Sequence, residues 1–415
     1  MKARIHRGAR QIGGSCIELE SAGHRLLLDL GRPLEAKRDE IVPLPQVSGL
    51  FVADPTLLGI LLSHPHQDHW GQIPDVHLSV PLYAGAIAGK MLREAAFFGA
   101  GKFALTPLVA LEHRIPLQIG PFCVTPFAAD HSATDAYSLL IEAGGKKLFY
   151  TGDFRAHGRH QAKFVQLLAD PPEGVDSLML EGTHVRPDGT VSPRGPSEND
   201  VRNQFEKTLQ HCAGPVLAAF SAQNIDRLCS IYEACLAANR TLILDLYAAT
   251  MAEASGEKDA PKPGKPNFRI WVPQSQRVRV KKAGAFERVA VLGKTRIFPE
   301  EMAKIAEESV LLYRDGLARD LERSIALVGA TLVWSLWPGY LDADQGAKTR
   351  EQIKKHQWSL VHHHASGHAA VSDLQALVRA LKPKNVVPIH TFGSGSYSSL
   401  FANVAVHRDG EWWEV

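Results

Sequence analysis

Strand-length apolar runs separated by turn residues fill the first part of the chain: HRLLLDLG at 24–31, LLGILLS at 57–63, FCVTPF at 122–127, YSLLIEA at 137–143, KKLFYTGD at 146–153 and SLMLEG at 177–182. Each is rich in Leu, Val, Ile or aromatic residues and short enough for a strand. Segments with helical spacing lie between some of them, AIAGKMLREAAFFG at 86–99 and QAKFVQLLA at 161–169. This pattern predicts sheets with helices packed outside them, a layered α/β arrangement. After Gly182 the rhythm changes. Ser197 is expected to cap an amphipathic helix in SENDVRNQFEKTLQHC. PVLAAFS, NIDRLCSIYEACLAAN and TLILDL then alternate strand, helix and strand, the βαβ order of a parallel sheet. A second change comes near residue 345, where a helix leads into HHHASGHAAVSDLQALVRALKPKNVVPIHTF. The expected divisions are 1–185, 186–345 and 346–415.

With 415 residues, two domains or one domain with a large insertion are expected. Hydrophobic content of 45% and charged content of 22% are those of a globular chain. Cys16, Cys123, Cys212, Cys229 and Cys235 are scattered without Cys-x-x-Cys spacing, which supports neither a disulfide framework nor a cysteine metal site. The start, MKARIHRGARQIGGSCIEL, lacks the apolar core of a signal peptide. No apolar run approaches the roughly 20 residues of a membrane span, so a cytoplasmic protein without a membrane partner is expected. The net charge of +2 conceals an uneven distribution, because Gly256–Arg296 holds eleven Lys or Arg against three Asp or Glu. A basic segment on an otherwise acidic chain points to a polyanionic partner.

The densest chemistry lies in LLSHPHQDHWGQIP, where His64, His66, Asp68 and His69 follow an apolar run. His64 and His66, two apart in extended chain, can turn the same way, and Asp68 with His69 then faces a second position beside the first. Imidazole and carboxylate without thiolate suit Zn²⁺ or Mn²⁺ acting as a Lewis acid. Three further strand ends offer ligands or their supports: His131 in FAADHSATD, Asp153 in LFYTGDFRAHG and Asp29 in LLLDLG. Asp29 is expected to orient a ligand rather than to bind metal itself.

HPHQDH, with His131 and Asp153 downstream, resembles the HxHxDH signature of the metallo-β-lactamase superfamily. LMLEGTH at 178–184, SGH at 366–368 and PIH at 388–390 resemble the three additional motifs of its β-CASP nuclease group. FSAQNIDRL at 220–228 and HASGHAAVSDLQALVRALKPKNVVPIH are similar to the ribonuclease J family within that group. The resemblance implies a four-layer αββα metallo-β-lactamase fold formed by 1–185 and 346–415, with an inserted α/β β-CASP cap over 186–345. It also implies two divalent ions, Zn²⁺ or Mn²⁺, one on His64, His66 and His131, the other on Asp68, His69 and His390, with Asp153 bridging. Glu181 and His368 occupy the family's acid–histidine pair beside the leaving group and are, with Asp68, the expected catalytic residues. Histidine at the third motif, here His390, accompanies RNA-processing members, whereas DNA-processing members tend to carry valine.

The implied activity is hydrolysis of RNA phosphodiester bonds, exonucleolytic, endonucleolytic or both, leaving 5′-phosphate and 3′-hydroxyl ends. A DNA nuclease and a thioester or lactone hydrolase are the alternatives. The physical logic agrees with the leading reading. Paired cations can clamp a phosphodiester and make a shared water acidic enough to attack phosphorus. His368, oriented by Glu181, can protonate the leaving 3′ oxygen. The resemblance adds Ser221, Asn224, His364, Ser366 and Gly367 as substrate contacts. Ser366 and Gly367 precede a helix expected from about Ser372, whose exposed N–H groups could hold a phosphate, a tight turn being the alternative. Lys281 and Lys282, with Phe268 and Trp271 as stacking partners, are expected to bind single-stranded RNA. His362 and His363 are expected to stand apart. Two departures from the family pattern are visible: the last motif reads HTF where relatives show HGE, and the chain ends at Val415 without the extra C-terminal domain of many relatives. The second puts the usual dimer or tetramer of those relatives in question, and a homodimer is the assembly kept as an expectation.

Overall fold

Along the strand Tyr137–Ala143 successive side chains enter different cores: Leu139 and Ile141 join one apolar cluster and Leu140 another. In Lys146–Tyr150 and Ser177–Glu181 the same division places Leu148, Tyr150 and Met179 in the first cluster, and Phe149, Leu178 and Leu180 in the second. Both faces of this sheet are buried, which is why its strands read as almost unbroken apolar runs. The inner cluster is completed by Ile5, Ile17, Leu19, Leu26 and Leu28 of another sheet packed face to face with the first. The helices Gln161–Ala169 and Val371–Leu381 cover one outer face through Phe164, Leu167, Leu374 and Leu377. Ala86–Phe97 covers the other through Leu92, packed with Leu27, Ile60 and Leu82. The result is the four-layer αββα arrangement expected above.

The computed structural model describes residues 1–37, 40–99 and 108–415. It divides into a first unit of 1–96, 101–195 and 367–415, and a second of 196–366 with 97–100. In the first unit one sheet runs Trp412–Glu414, Lys2–Arg7, Cys16–Ser21, His24–Leu28, Leu57–Leu61, Leu82–Gly85, Leu108–Leu111. The other runs Asn385–Ile389, Ser177–Glu181, Lys146–Tyr150, Tyr137–Ala143, Phe122–Ala128, Leu117–Ile119. Both sheets therefore need the returning C-terminal segment. Parallel pairing decides where chemistry can gather. Leu28 lies opposite Leu61, Tyr150 opposite Met179 and Glu181 opposite Ile389, so the carboxyl ends of these strands emerge side by side.

The second unit is a seven-stranded, wholly parallel sheet in the order Arg296–Ile297, Phe268–Trp271, Thr241–Asp245, Ser309–Tyr313, Val216–Ala219, Thr331–Trp334, Ser359–His362. Ser197 caps the helix Glu198–His211 as expected: its Oγ accepts from Asp200 N, and the Asp200 carboxylate accepts from Ser197 N. The unit begins about ten residues later than the sequence texture suggested, and it extends through residue 366 instead of 345. The helix Ala347–His356 and the strand Ser359–His362 belong to it, because that strand pairs in parallel with Thr331–Trp334. A run such as SLVH shows that a strand forms but not which sheet receives it. Among the described residues no helix is long and apolar enough to cross a membrane.

A buried ion pair ties this second unit together. Arg227 donates through Nε and Nη2 to both oxygens of Glu198 (3.0 and 2.9 Å), through Nη1 to Ser335 O and Oγ (2.5 and 2.7 Å), and through Nη2 to Ala365 O (3.1 Å). Both side chains are essentially inaccessible to solvent. Arg227→Met should cost about 3–5 kcal/mol in urea unfolding, because it strands the Glu198 charge and two carbonyls. Adding Glu198→Gln should recover part of that loss. A single-mutant loss below about 1 kcal/mol would show that the network contributes little.

Candidate metal centre

Six strand ends supply the site. Asp29 follows His24–Leu28, His64 follows Leu57–Leu61, His131 follows Phe122–Ala128 and Asp153 follows Lys146–Tyr150. Glu181 ends Ser177–Glu181, and His390 follows Asn385–Ile389. His66 precedes the short helix Gln67–Trp70, which carries Asp68 and His69. The chain passes so close here that a Cβ on Gly31 would lie 1.6 Å from the carbonyl oxygen of Asp68, so this position requires glycine. His390 has φ of +50°, and its N–H donates to Gly8 O at 2.7 Å. Thr391, in the variant HTF motif, closes the following turn by accepting from Gly393 N at 2.9 Å.

Among the described residues, two of the three groups of possible ligand atoms are His64, His66 and His131, and Asp68, His69, Asp153 and His390, the atoms of each lying within 4.8 Å of one another. Asp153 stands between them, with Oδ2 at 3.6 Å from His64 Nε2 and 3.1 Å from His69 Nε2, and Oδ1 at 3.6 Å from His390 Nδ1. His64 Nε2, His69 Nε2 and Asp153 Oδ1 are buried yet lack any partner in hydrogen-bond geometry. Each orphaned polar atom of this kind costs roughly 1–3 kcal/mol unless something fills the gap. A divalent cation does so, and these nitrogen and oxygen donors suit one. Burial and neighbouring imidazoles hold His64 and His131 well below the usual histidine range, and burial lowers His66 to about 4. Those rings are neutral and keep a lone pair, the form a metal requires. Burial would raise Asp68, but His69 and the hydrogen-bonded His390 draw it down to about 2. Burial opposes ionisation of Asp153 too, and His390, His69 and His368 outweigh it, holding that carboxyl well below its usual range.

Asp29 organises both groups. Its Oδ1 accepts from Ser63 N (2.7 Å), and its Oδ2 accepts from Ser63 Oγ (2.8 Å), Tyr150 Oη (2.5 Å) and His69 Nδ1 (2.7 Å). Because Ser63 Oγ gives its proton to Asp29, it accepts from His64 Nδ1 at 3.0 Å. One carboxylate therefore turns Nε2 of both His64 and His69 inward. Burial would lower His69, but Asp153, Asp29 and Asp68 overcome it and raise the ring well above the usual histidine range, so a cation binding there must displace its Nε2 proton. His131 is fixed likewise: Nδ1 donates to Gly367 O at 2.6 Å, and Nε2 faces His66 Nδ1 at 3.0 Å.

Glu181 is inaccessible to solvent and accepts from the N–H groups of Phe154 and Ala369 (both 3.3 Å) and Thr183 (3.2 Å). Its Oε2 lies 3.3 Å from Nδ1 of His368, whose side chain is 21% exposed. Burial would lower His368, but Glu181 and Asp153 overcome it and raise the ring to about 9, which keeps it protonated at neutral pH. Asp153, Glu181, His368 and His390 form a third group within 4.8 Å.

The expected substrate contacts lie on several different elements. Gly367 spends its carbonyl on His131, and the helix Val371–Leu381 has Asp373 accepting from Ala370 N at its start, so a carboxylate already occupies the place suggested for phosphate. Asn224 caps the helix Ile225–Ala237 through Arg227 N, and Ser221 accepts from Gln223 N. His364 and Ser366 are half-buried, and Lys281 and Lys282 are exposed on the last turn of Gln274–Ala283. Phe268 and Trp271, read as stacking platforms, are buried at 1% and 4% exposure within the parallel sheet. The Lys and Arg residues around them hid a strand whose apolar residues fill the core. His363 is bonded to Thr208 Oγ1 at 2.7 Å and belongs to none of the ligand groups among the described residues. The sequence reading missed Ser63, Tyr150 and Thr183. Ser63 and Thr183 adjoin recognised ligand motifs, whereas Tyr150 looks like any aromatic in a buried strand.

Residues 44–215 match a beta-lactamase superfamily domain, and 361–394 match a Zn-dependent metallo-hydrolase RNA specificity domain. Ribonuclease J of Mycobacterium tuberculosis is 25% identical over 95% of this chain and 69% of its own length. Ribonuclease J of Sinorhizobium meliloti is 26% identical over 84% of this chain and 60% of its own length. That of Helicobacter pylori is 24% identical over 97% of this chain and 56% of its own length. A crystal structure of a protein of unknown function from Enterococcus faecalis shares the fold, with a TM-score of 0.79 and 20% identity over 99% of both chains. Fold and site resemble those of hydrolases of the metallo-β-lactamase superfamily, β-CASP group. Within that group it resembles ribonuclease J, although it spans only part of those relatives' length.

Asp29→Asn tests the shared carboxylate. Asparagine tolerates the backbone φ of +58° at this position, so the conformation should survive. Its NH₂ must nevertheless face at least one of the donors that Asp29 now accepts. Divalent-ion affinity, read by calorimetric titration with Mn²⁺, should fall roughly 10–100-fold. Unchanged affinity would mean that Asp29 does not orient the rings facing the ligand groups.

Proposed function

We propose that this protein is a metal-dependent ribonuclease that hydrolyses RNA phosphodiester bonds and leaves 5′-phosphate and 3′-hydroxyl ends. The observation that carries this reading is the approach of His368 Nδ1 to Glu181 Oε2, 3.3 Å, at the edge of the Asp153 group. A thioester or lactone hydrolase on the same ligand set has no need of a buried acid–histidine pair. Similarity to ribonuclease J over most of the chain, and the matched RNA specificity domain, support RNA as substrate.

His64, His66 and His131 are assigned to one cation and Asp68, His69 and His390 to the other, with Asp153 shared. Zn²⁺ is the first choice and Mn²⁺ the second. Divalent cations held there would neutralise the scissile phosphate and acidify a water molecule. The protein's own residues then divide the work. Asp68, with Asp153, keeps negative charge where cations must sit. As the oxygen of that water, its proton given up to solvent, joins phosphorus and the bond from phosphorus to the 3′ oxygen breaks, His368 passes its proton to the leaving 3′ oxygen. Glu181 holds Nδ1 of His368, so Nε2 is the nitrogen assigned to the transfer. Ser221, Asn224, His364, Ser366 and Gly367 are assigned to substrate, and exposed Lys281 and Lys282 to its phosphates. A cytoplasmic location and a homodimer belong to the same proposal.

A 5′-phosphorylated RNA and the DNA of the same sequence, each incubated with Mn²⁺ or Zn²⁺, test the reading. RNA should be cut faster and yield 5′-phosphate products. Preference for DNA would make this a DNA nuclease, and thioester hydrolysis without nucleolysis would reject nuclease activity.

The assignment of His368 has its own check. His368→Ala should lower turnover roughly 10²–10⁴-fold, the contribution of a positioned acid. Metal content should be retained, and a substrate with sulfur at the bridging 3′ position should recover much of the rate, since its leaving group needs no proton. If the variant instead loses an ion and the sulfur substrate does not help, His368 is a ligand through the third group and the acid must be sought elsewhere.

A further inference from the structure

Thr183 lies in the LMLEGTH motif, between Glu181 and His184. Its Oγ1 stands 3.1 Å from Nδ1 of His368 and 3.1 Å from Nδ1 of His390. These rings reach it from different stretches of the returning segment, and they stack on each other with centroids 5.5 Å apart and an interplanar angle of 24°. A hydroxyl oxygen has two acceptor lone pairs, enough for two N–H donors. Without a cation His390 Nε2 donates to Asp68 Oδ2 at 3.2 Å; with Nε2 turned to a cation in that group instead, the proton of the ring belongs on Nδ1, facing Thr183. His368 Nδ1 is shared between Thr183 Oγ1 and Glu181 Oε2. One oxygen thus meets both rings at the same nitrogen and sets Nε2 of each on its far side.

Thr183 is itself held firmly. Its N–H donates to Glu181 Oε2 at 3.2 Å. The preceding Gly182 leaves room for Tyr397, since a Cβ there would lie 1.9 Å from the tyrosine oxygen, and Tyr397 Oη donates to Leu180 O at 3.2 Å. A β-branched side chain on such a backbone has little rotamer freedom, so the hydroxyl stays between the rings.

We propose that Thr183 is a positioning residue that couples the two halves of the reaction: its single oxygen sets the imidazole of a metal ligand, His390, and the imidazole of the proton donor, His368. The proposal rests on the ribonuclease reading for the role of His368, but its metal half can be tested without RNA.

The comparison is Thr183→Val, which keeps the shape and removes the hydroxyl, against Thr183→Ser, which keeps the hydroxyl and removes a methyl. In calorimetric titration of the full chain with Mn²⁺, Thr183→Val should weaken one of two binding events roughly 10–100-fold, as loss of a support for a metal-bound histidine does. Thr183→Ser should bind both ions like the unaltered protein. On RNA under saturating Mn²⁺, Thr183→Val should lose kcat with KM unchanged, the bridging-sulfur substrate should recover part of that loss, and Thr183→Ser should restore it. Normal metal binding and kcat in Thr183→Val would overturn the proposal. So would equal damage from Ser and Val, because the site would then be responding to packing. If Thr183→Val does not fold, Thr183→Ala takes its place against Ser with the same expectations. If the unaltered chain binds two ions but does not cut RNA, the ribonuclease reading fails, and the titration still decides whether the hydroxyl supports His390.

Discussion

Four hydrogen bonds converge on the carboxylate of Asp29, a side chain with no exposed surface. A bare carboxylate in such a place would be costly, and these donors are what make its burial tolerable. The donors come from different layers. Ser63 precedes the HPHQDH segment and His69 ends it, while Tyr150 belongs to the inner core between the sheets. Correct packing of that core is therefore tied to the orientation of the metal-facing histidines. Rings fixed before a cation arrives spend none of the binding free energy on being ordered, which is the value of preorganisation.

The same logic explains the path of the chain. Asp153, Glu181 and His390 share a neighbourhood because three parallel strands, Lys146–Tyr150, Ser177–Glu181 and Asn385–Ile389, end together in register. The last of these belongs to the C-terminal return. An insertion of more than 150 residues between the Glu181 motif and that return leaves the sandwich intact, since both cut ends lie within the first unit. The inserted unit has its own core, with Leu217, Trp271, Leu311 and Leu332 in one cluster, and the Arg227–Glu198 pair secures its interior.

Buried polarity is concentrated at the site to a degree that only cations make economical. His64, His69, Asp153 and His390 are each 2% exposed or less, and several of their ligand atoms have no protein partner. Elsewhere in the first unit buried charge is matched by charge, as where Arg4 and Arg25 face Glu18. The ligand groups differ because His64 Nε2, His69 Nε2 and Asp153 Oδ1 are left without a hydrogen-bond partner, a gap that another centre of charge can fill.

Much of this was legible in the residues alone. The local cluster at His64–His69, the strand-length runs, the Ser197 cap and the motif order through His390 are short-range facts, and short-range sterics and hydrophobic periodicity decide them. Tertiary structure decided the rest. Phe268 and Trp271 sit among Lys and Arg in the sequence, yet both faces of a parallel strand are buried, so flanking charge says nothing about where those rings point. The strand Ser359–His362 joined the inserted sheet because backbone pairing, which leaves little trace in composition, chose its neighbour. Thr183 is one ordinary threonine until two histidines, 185 and 207 residues away, arrive at its oxygen. Residue types and spacing determined which groups could bind a cation. Strand register and the return of the chain determined which of them face one another, because only those long-range contacts fix the distances on which coordination and proton transfer depend.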